Sequence, residues 1–457
     1  MVKISFIGAG SKGFCQGIIT DILSFPAMRK NVTFSLHDIN KKRLDYIHKL
    51  FEYYKEDHKD LLKNIEFEAT LDQRESIKDA KYVIAAFMVG GWEAYKLDVD
   101  IPHKWGVTQN VGDTLGPGGV FRFLRSAPVY KEIVTNMKEV GYKGAQKPVF
   151  LNYTNPMAMN TWYCNSIWEN STVGLCHGVQ GTSNQLRMYI GAAPQEFSFL
   201  CAGINHMAWF LDLWFKDYTV EDAHWEDGYP IIWEHLKEEP EIMGSEKLRW
   251  DMMKATGYYM TESSGHLSEY LPFYRKRDDL LEKYKGSETG FDSLRHAVDM
   301  ENFARDSQNR EEMVDEKEPP HIAFKKTASH EYASNIINAM ETNDPFRFNG
   351  NVMNWKKSLI TNLPADCCVE VPIFVDYHGM HPQGGIELPT VCQALCTSNI
   401  MVQKAAVSGA LTKNKEKIYH ALLLDPNTAS VCSPEEIRDM TGEMFEAQSK
   451  WLKWFEE

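Results

Sequence analysis

The chain has 457 residues, of which 43% are hydrophobic and 25% charged, and its formal net charge at pH 7 is -14. That length corresponds to two or three domains at roughly 100–200 residues each, with enough apolar content for a sizeable core. The acidic balance excludes nucleic acid and anionic membrane as partners, because both require basic patches. No run of 18 or more apolar residues reads as a membrane span. Met1-Val2-Lys3 enters an apolar strand without a leader-like h-region, so a cytoplasmic location is expected. The nine cysteines, odd in number and lacking a C-x-x-C pair, read as thiols of a reducing compartment.

In chain order, KISFIGAGSKGF (residues 3–14) is an apolar strand followed by Gly8, Gly10, Ser11 and Gly13 in a G-x-G-x-x-G turn, with a helix after it. Such a turn lets backbone approach a pyrophosphate at a helix N-terminus. A second strand, Val32 to Leu36, ends in His37-Asp38. Asp38 is placed to receive ribose hydroxyls, and its charge favours NAD over NADP. The spacing predicts a helix over 41–55, a strand over 66–69, and a buried strand running through KYVIAAFMVGG to Gly90-Gly91. Gly90 is either part of the nucleotide pocket or a plain turn.

The loop Gly112 to Gly119 carries Asp113 and Thr114, which can meet a ligand or cap the following helix. A strand over 148–151 delivers Asn155, before Pro156, to the same sheet edge, as a binder of sugar hydroxyls or as an Asx turn. A short strand, Val173 to Leu175, ends at Cys176-His177-Gly178, and His206 follows in INHMAWF. Thiolate with imidazole suits a divalent transition metal. By spacing alone, Cys176 and His206 also read as core residues, since no C-x-x-C or H-E-x-x-H pattern is present.

Strands alternating with helices predict an α/β fold: a Rossmann-like doubly wound parallel sheet over residues 1–197. A mixed α+β, mostly helical second domain over 198–457 is expected to bind substrate and support oligomerisation. There His266 and Glu269 stand at i, i+3 in TESSGHLSEY, 310–317 reads as a solvated helix face or loop, 330–340 as helix, and 367–376 as an alternating strand.

Together FIGAGS, DTLGPGG, LNYTNPMAMNTW, GLCHGVQGT, CAGINHMA, TESSGHLSEY, EYAS and CCVEV resemble glycoside hydrolase family 4, closest to its bacterial α-galactosidase branch. The resemblance covers essentially the whole chain. It implies NAD and Mn²⁺ as cofactors, with Cys176 and His206 as metal ligands. It implies oxidation at sugar C3, proton removal at C2, elimination of the aglycone, hydration and reversal, with retention. This family lies outside the two-carboxylate scheme. The resemblance places the proton donor at His177 and hydroxyl binding at Asn155 and Asp113. His266 is the base by position, with Tyr270 and Glu269 as rivals. It further implies a small α-glycoside substrate such as melibiose and a homodimer or homotetramer. Cys-His-Gly at 176–178 departs from the Cys-His-Ser of the α-galactosidase branch, which keeps α-glucosidase and α-galacturonidase or glucuronidase activities open. A lactate- or malate-like dehydrogenase would share the first half but leave Cys176 without a role.

Overall fold

The computed structural model describes residues 2–219, 221–238, 246–284, 305 and 319–455. The stretch 310–317, expected as a solvated helix or loop, lies outside the described residues.

One mixed sheet of 13 strands runs through the chain. Its first half is parallel: β1 (Val2–Ile7), β2 (Val32–His37), β3 (Ile65–Thr70), β4 (Tyr82–Ala85), β5 (Val149–Asn152) and β6 (Thr172–Gly174) lie in the order 3-2-1-4-5-6. This is the doubly wound order, in which ligands collect beyond the carboxyl ends of the strands. β2 is buried at every position, as expected of a parallel strand covered by helices on both faces.

The second half extends the same sheet with antiparallel strands. β7 (Phe197–Ile204) and β8 (Met207–Phe215) form a hairpin, and β8 also pairs with β9 (Glu226–Asp227) and β10 (Tyr259–Met260). β11 (Phe346–Met353) pairs with β6 on one side and with β12 (Cys368–Asp376) on the other; β12 also pairs with β7 and β13 (Gly379–Pro382). Hydrogen bonding therefore continues past residue 197, and the second half is built onto the first without a break in the sheet.

Two strand expectations change in the structure. The strand expected to reach Gly90-Gly91 stops at Ala85, because its neighbours β1 and β5 end at Ile7 and Asn152 and offer no further ladder. The chain from Ala86 to Gly91 becomes a cavity wall instead. β12 does not alternate: Cys368 to Ile373 are all buried, since that strand is interior to the sheet.

Five helices position the site. α1 (Lys12–Ser24) follows the glycine turn, α2 (Gly91–Lys104) follows the cavity wall, and α3 (Gly116–Val140) follows the Asp113 loop. α4 (Gly178–Ile190) begins directly after Cys176-His177, and a short terminal helix, α5 (Ser449–Leu452), returns to the mouth of the cavity. No helix among the described residues is long and apolar enough to cross a membrane.

Beneath the cavity wall lies a fully buried ion pair. Arg125 on α3 donates from Nη1 and Nη2 to Asp98 Oδ1 and Oδ2 on α2 at 2.7 and 2.6 Å, and from Nε to the carbonyl of Val89. Gln448, just before α5, accepts from Arg125 and donates to Asp98 Oδ1 at 2.9 Å. The bidentate fork satisfies both charges away from water. Replacing Asp98 by Ala strands the guanidinium, and chemical denaturation is expected to show a loss of about 3–5 kcal/mol.

Candidate active site

The glycine turn works by close approach. Gly8 has φ +86°, and a Cβ built there would lie 2.3 Å from the carbonyl oxygen of Ala86. A Cβ at Gly10 would lie 2.6 Å from Asp38 Oδ2, which instead accepts from the Gly10 N–H at 2.8 Å. Asp38 Oδ1 accepts from Asn40 N, so the carboxylate is fixed at the end of β2 with lone pairs to spare. A cavity of about 1280 Å³ opens here, and Gly8, Gly10, Ser11, Asp38, Gly90, Asp113 and Asn155 all line it. Gly13 is exposed in the first turn of α1, does not line that cavity, and has open space where a Cβ would stand.

Beyond Asp113 and Asn155 lies a second cluster. Ligand atoms of Cys176, His206 and Glu262 all fall within 4.8 Å of one another. Cys176 stands past the end of β6, and Glu262 follows β10. His206 occupies the two-residue tip of the β7–β8 hairpin with φ +63°; Glu262 has φ +75°. Left-handed backbone at two non-glycine residues marks strain held by the surrounding fold, a feature concentrated at functional sites. Thr114 Oγ1 donates to Asp113 Oδ1 at 2.8 Å, so the His206 Nδ1–H donates to Thr114 Oγ1 at 2.9 Å. The lone pair of Nε2 is thereby left facing Glu262 Oε2 at 3.3 Å. That is the tautomer a metal ligand needs.

Asp113 joins the cavity to the cluster. Its Oδ2 accepts from Asn155 Nδ2 at 2.9 Å, and its Oδ1 lies 3.1 Å from His266 Nε2. His266 Nδ1 lies 3.3 Å from Glu262 Oε1. Burial alone would lower the His266 pKa, but Glu262 and Asp113 on its two ring nitrogens raise it well above the ordinary value. Burial likewise pushes against the charged forms of Asp113 and Glu262, yet the histidines hold both carboxyls far below the usual range. The arrangement is an imidazolium clamped between two carboxylates.

That clamp bears on the expected roles. A protonated His266 donates rather than accepts protons. Glu269 is spent otherwise: its carboxylate accepts the backbone N–H groups of Asn110, Val111 and Gly112 and shapes the Asp113 loop. Tyr270 is buried with its hydroxyl 3.2 Å from His206 Nδ1. His177 is largely exposed at the start of α4, and its Nδ1 lies 3.4 Å from Glu331 Oε1, which raises its pKa. Gly178 is not forced by space, since a Cβ there would meet Glu262 and Cys176 only at 3.5 and 3.6 Å.

The structure thus brings together Asp113, Asn155, Cys176, His206, His266 and Tyr270, with His177 beside Cys176 in the chain. Sequence reasoning missed Glu262 and Glu331 in these roles. Glu262 stands in the turn between β10 and the helix that begins at Ser264, where no periodic pattern marks it; the shared face was read for His266 and Glu269. Glu331 carried only the look of a helix start.

The donor set fits a metal. Burial raises the Cys176 thiol well above its ordinary value, and Glu370 and Glu262 raise it further. A divalent cation at this cluster would relieve that crowding of acidic groups and draw off the thiol proton.

Two family models match this chain: Family 4 glycosyl hydrolase over residues 3–192, and Family 4 glycosyl hydrolase C-terminal domain over 201–428. Matches over both halves make the chain a glycosyl hydrolase, and it belongs to family 4 of that class. It is 39% identical to an alpha-galactosidase of Rhizobium meliloti (strain 1021), over 98% of this chain and 89% of that one. It is 36% identical to the alpha-galactosidase of Bacillus subtilis (strain 168), over 99% of each. Among solved structures, the 6-phospho-beta glucosidase of Thermotoga maritima with manganese, NAD+ and glucose-6-phosphate superposes with a TM-score of 0.74 at 20% identity, covering 98% of this chain and 99% of that one.

Glu370 on β12 is fully buried, and its Oε1 has no hydrogen-bond partner. Burial, and then the charge of Glu262, push its carboxyl up to about 8. Because the folded value lies above the unfolded one near 4.3, folding is favoured by the proton and loses stability as pH rises toward 8. In metal-free protein, Glu370→Gln is therefore expected to stabilise by about 1.4 kcal/mol more for each pH unit between about 5 and 8, then level off. Urea denaturation at pH 5.5, 7 and 8.5 reads this directly; a constant difference would refute it.

Proposed function

We propose that the chain is an α-galactosidase that uses NAD⁺ and a divalent metal, with Mn²⁺ the expected ion. One observation carries the reading: Asp113 and Asn155 hydrogen-bond to each other on the wall of a dinucleotide-sized cavity, and Asp113 reaches the Cys176–His206–Glu262 cluster through His266. A sugar bound between them would have one carbon over the cofactor and its hydroxyls toward the cluster. The two relatives of highest identity quoted above are both alpha-galactosidases over nearly the full length of this chain.

Gly8, Gly10 and Ser11 would take the cofactor's phosphates, Asp38 its ribose hydroxyls, and Gly90 the cavity wall. Gly13 would serve α1 rather than touch the cofactor. Cys176, His206 and Glu262 would hold the metal, leaving positions for substrate oxygens. Bound together, the two groups supply reversible oxidation at the sugar carbon and Lewis-acid polarisation of its oxygen. Asn155 keeps its amide oxygen for a sugar hydroxyl while Nδ2 is held by Asp113.

His177, steadied by Glu331, would protonate the leaving oxygen. His266 would balance charge between Asp113 and Glu262. Of the residues expected as base, Tyr270 remains. Burial and then the charges of Glu269, Asp113 and Glu262 raise its phenol pKa, so neutralising those carboxylates is what brings the phenol toward use.

Hydrolysis of p-nitrophenyl α-galactoside, α-glucoside and α-galacturonide, with NAD⁺, Mn²⁺ and thiol each omitted in turn, tests the activity. Cleavage of the galactoside alone, and only with all three present, is expected; cleavage without NAD⁺ would end the proposal. Tyr270→Phe is expected to lower kcat by about 10²–10⁴-fold, the range of a lost general base. Mn²⁺ binding measured by equilibrium dialysis should stay unchanged, since the phenol is not among the ligands.

A further inference from the structure

The terminal helix α5 contributes Trp451 to the wall of the active-site cavity, although the chain there is some three hundred residues from Asn155. The segment that carries the indole is held at three points. Gly90 has φ +86°, and a Cβ built there would lie 2.4 Å from Ala94 Cβ and 3.1 Å from Cε2 of the Trp451 indole, so the ring packs against this turn. The Lys450 ammonium stands 4.2 Å from the indole centroid and pairs with Glu93 in the first turn of α2. Gln448, three residues earlier, is locked into the buried Arg125–Asp98 pair.

Its position along the cavity follows from α3. Arg122 Nε donates to the carbonyl of Asn155, and Arg125 Nε donates to the carbonyl of Val89, next to Gly90. The two arginines are three residues apart on one helix, about 4.5 Å of rise, so α3 ties both segments to itself. Asp38 ends a strand two places across the sheet from β4, roughly 9–10 Å away. Trp451 thus shares one cavity with the amide of Asn155, the carboxylate of Asp113 and the guanidinium of Arg122.

An aromatic wall opposite hydroxyl-binding polar groups is the chemistry that receives a pyranose. The ring's C–H face is apolar and slightly positive, and it packs against the electron-rich indole face while the hydroxyls turn to the amide and carboxylate. We propose that Trp451 is a substrate-specificity residue that packs against a pyranose face of the bound α-glycoside. This rests on the α-glycosidase reading above. The ring is either the galactosyl unit or the leaving sugar, and the two are separable by substrate.

The test uses full-length enzyme with NAD⁺ and Mn²⁺, on α-galactosyl fluoride, which holds one sugar ring, and melibiose, which holds two. Trp451→Leu is expected to raise KM about tenfold, as loss of one aromatic stack does, with kcat changed less than about threefold. Trp451→Phe, which keeps an aromatic face, should return KM to within about threefold of the parent. A rise on both substrates identifies the galactosyl ring, and a rise on melibiose alone identifies the leaving sugar. Equal KM values for the Leu and Phe variants on both substrates would overturn the assignment. So would a tenfold weaker NAD⁺ dissociation constant in Trp451→Leu, because the indole would then belong to the cofactor. If the parent enzyme cleaves neither galactoside but cleaves an α-glucoside or α-galacturonide, the galactosidase reading fails, and the same KM comparison on that sugar still decides the role of Trp451.

Discussion

The Asp113 carboxylate is the constraint on which the active site depends. It accepts from Asn155, Thr114 and the imidazole of His266, so one small anion fixes the amide on the cavity wall, the tautomer of His206 and the charge state of His266. A buried carboxylate survives at this density of contacts only because each oxygen is fully engaged. The loop that carries it is in turn pinned by three backbone N–H groups donating to Glu269. Two carboxylates thus build the site without reacting in it. Glu269 shapes the loop and Asp113 distributes its orientation.

Around this frame the site is short of positive charge. Cys176, Glu262 and Glu370 crowd one another, and the histidines that face them compensate in part. Structural networks usually close such balances with arginine, as the Arg125–Asp98 pair does beneath the cavity wall. The contrast between the two regions separates scaffold from reactive centre. The pair is satisfied internally, whereas the cluster is the place where an external cation would complete the balance, as the proposed metal requires.

Much of the first half was legible in the sequence because its signals are local. A glycine turn between an apolar strand and a helix, and an acidic residue at the end of the next strand, each report their own geometry. The doubly wound order then carries Asp113, Asn155 and Cys176 to one edge without further information. His206 was visible only through the resemblance, since its place depends on a hairpin tip whose strained φ no motif announces. Glu262 was hidden because the chain there is still turning out of β10, where neither strand nor helix period marks a position. The roles of Glu269 and His266 turned on hydrogen bonds to residues about 150 positions away, which no pattern in one segment encodes. Trp451 carried no signal of its own, because only the return of the C-terminus brings it to Gly90.

The unbroken sheet has a consequence for how the reacting parts keep their distance. β4 leads into the cavity wall, β5 into Asn155 and β6 into Cys176, on consecutive parallel strands. The strand ends from which they depart are ladder spacings of about 4.8 Å apart, fixed by backbone hydrogen bonds rather than by closure of one lobe on another. The centre behaves like marks on a ruler: the crossover helices between strands are free to vary in length and surface over evolutionary time without moving the marks. Drift in alignment would require slippage of the ruler itself, which would bury the wrong face of every strand it touched.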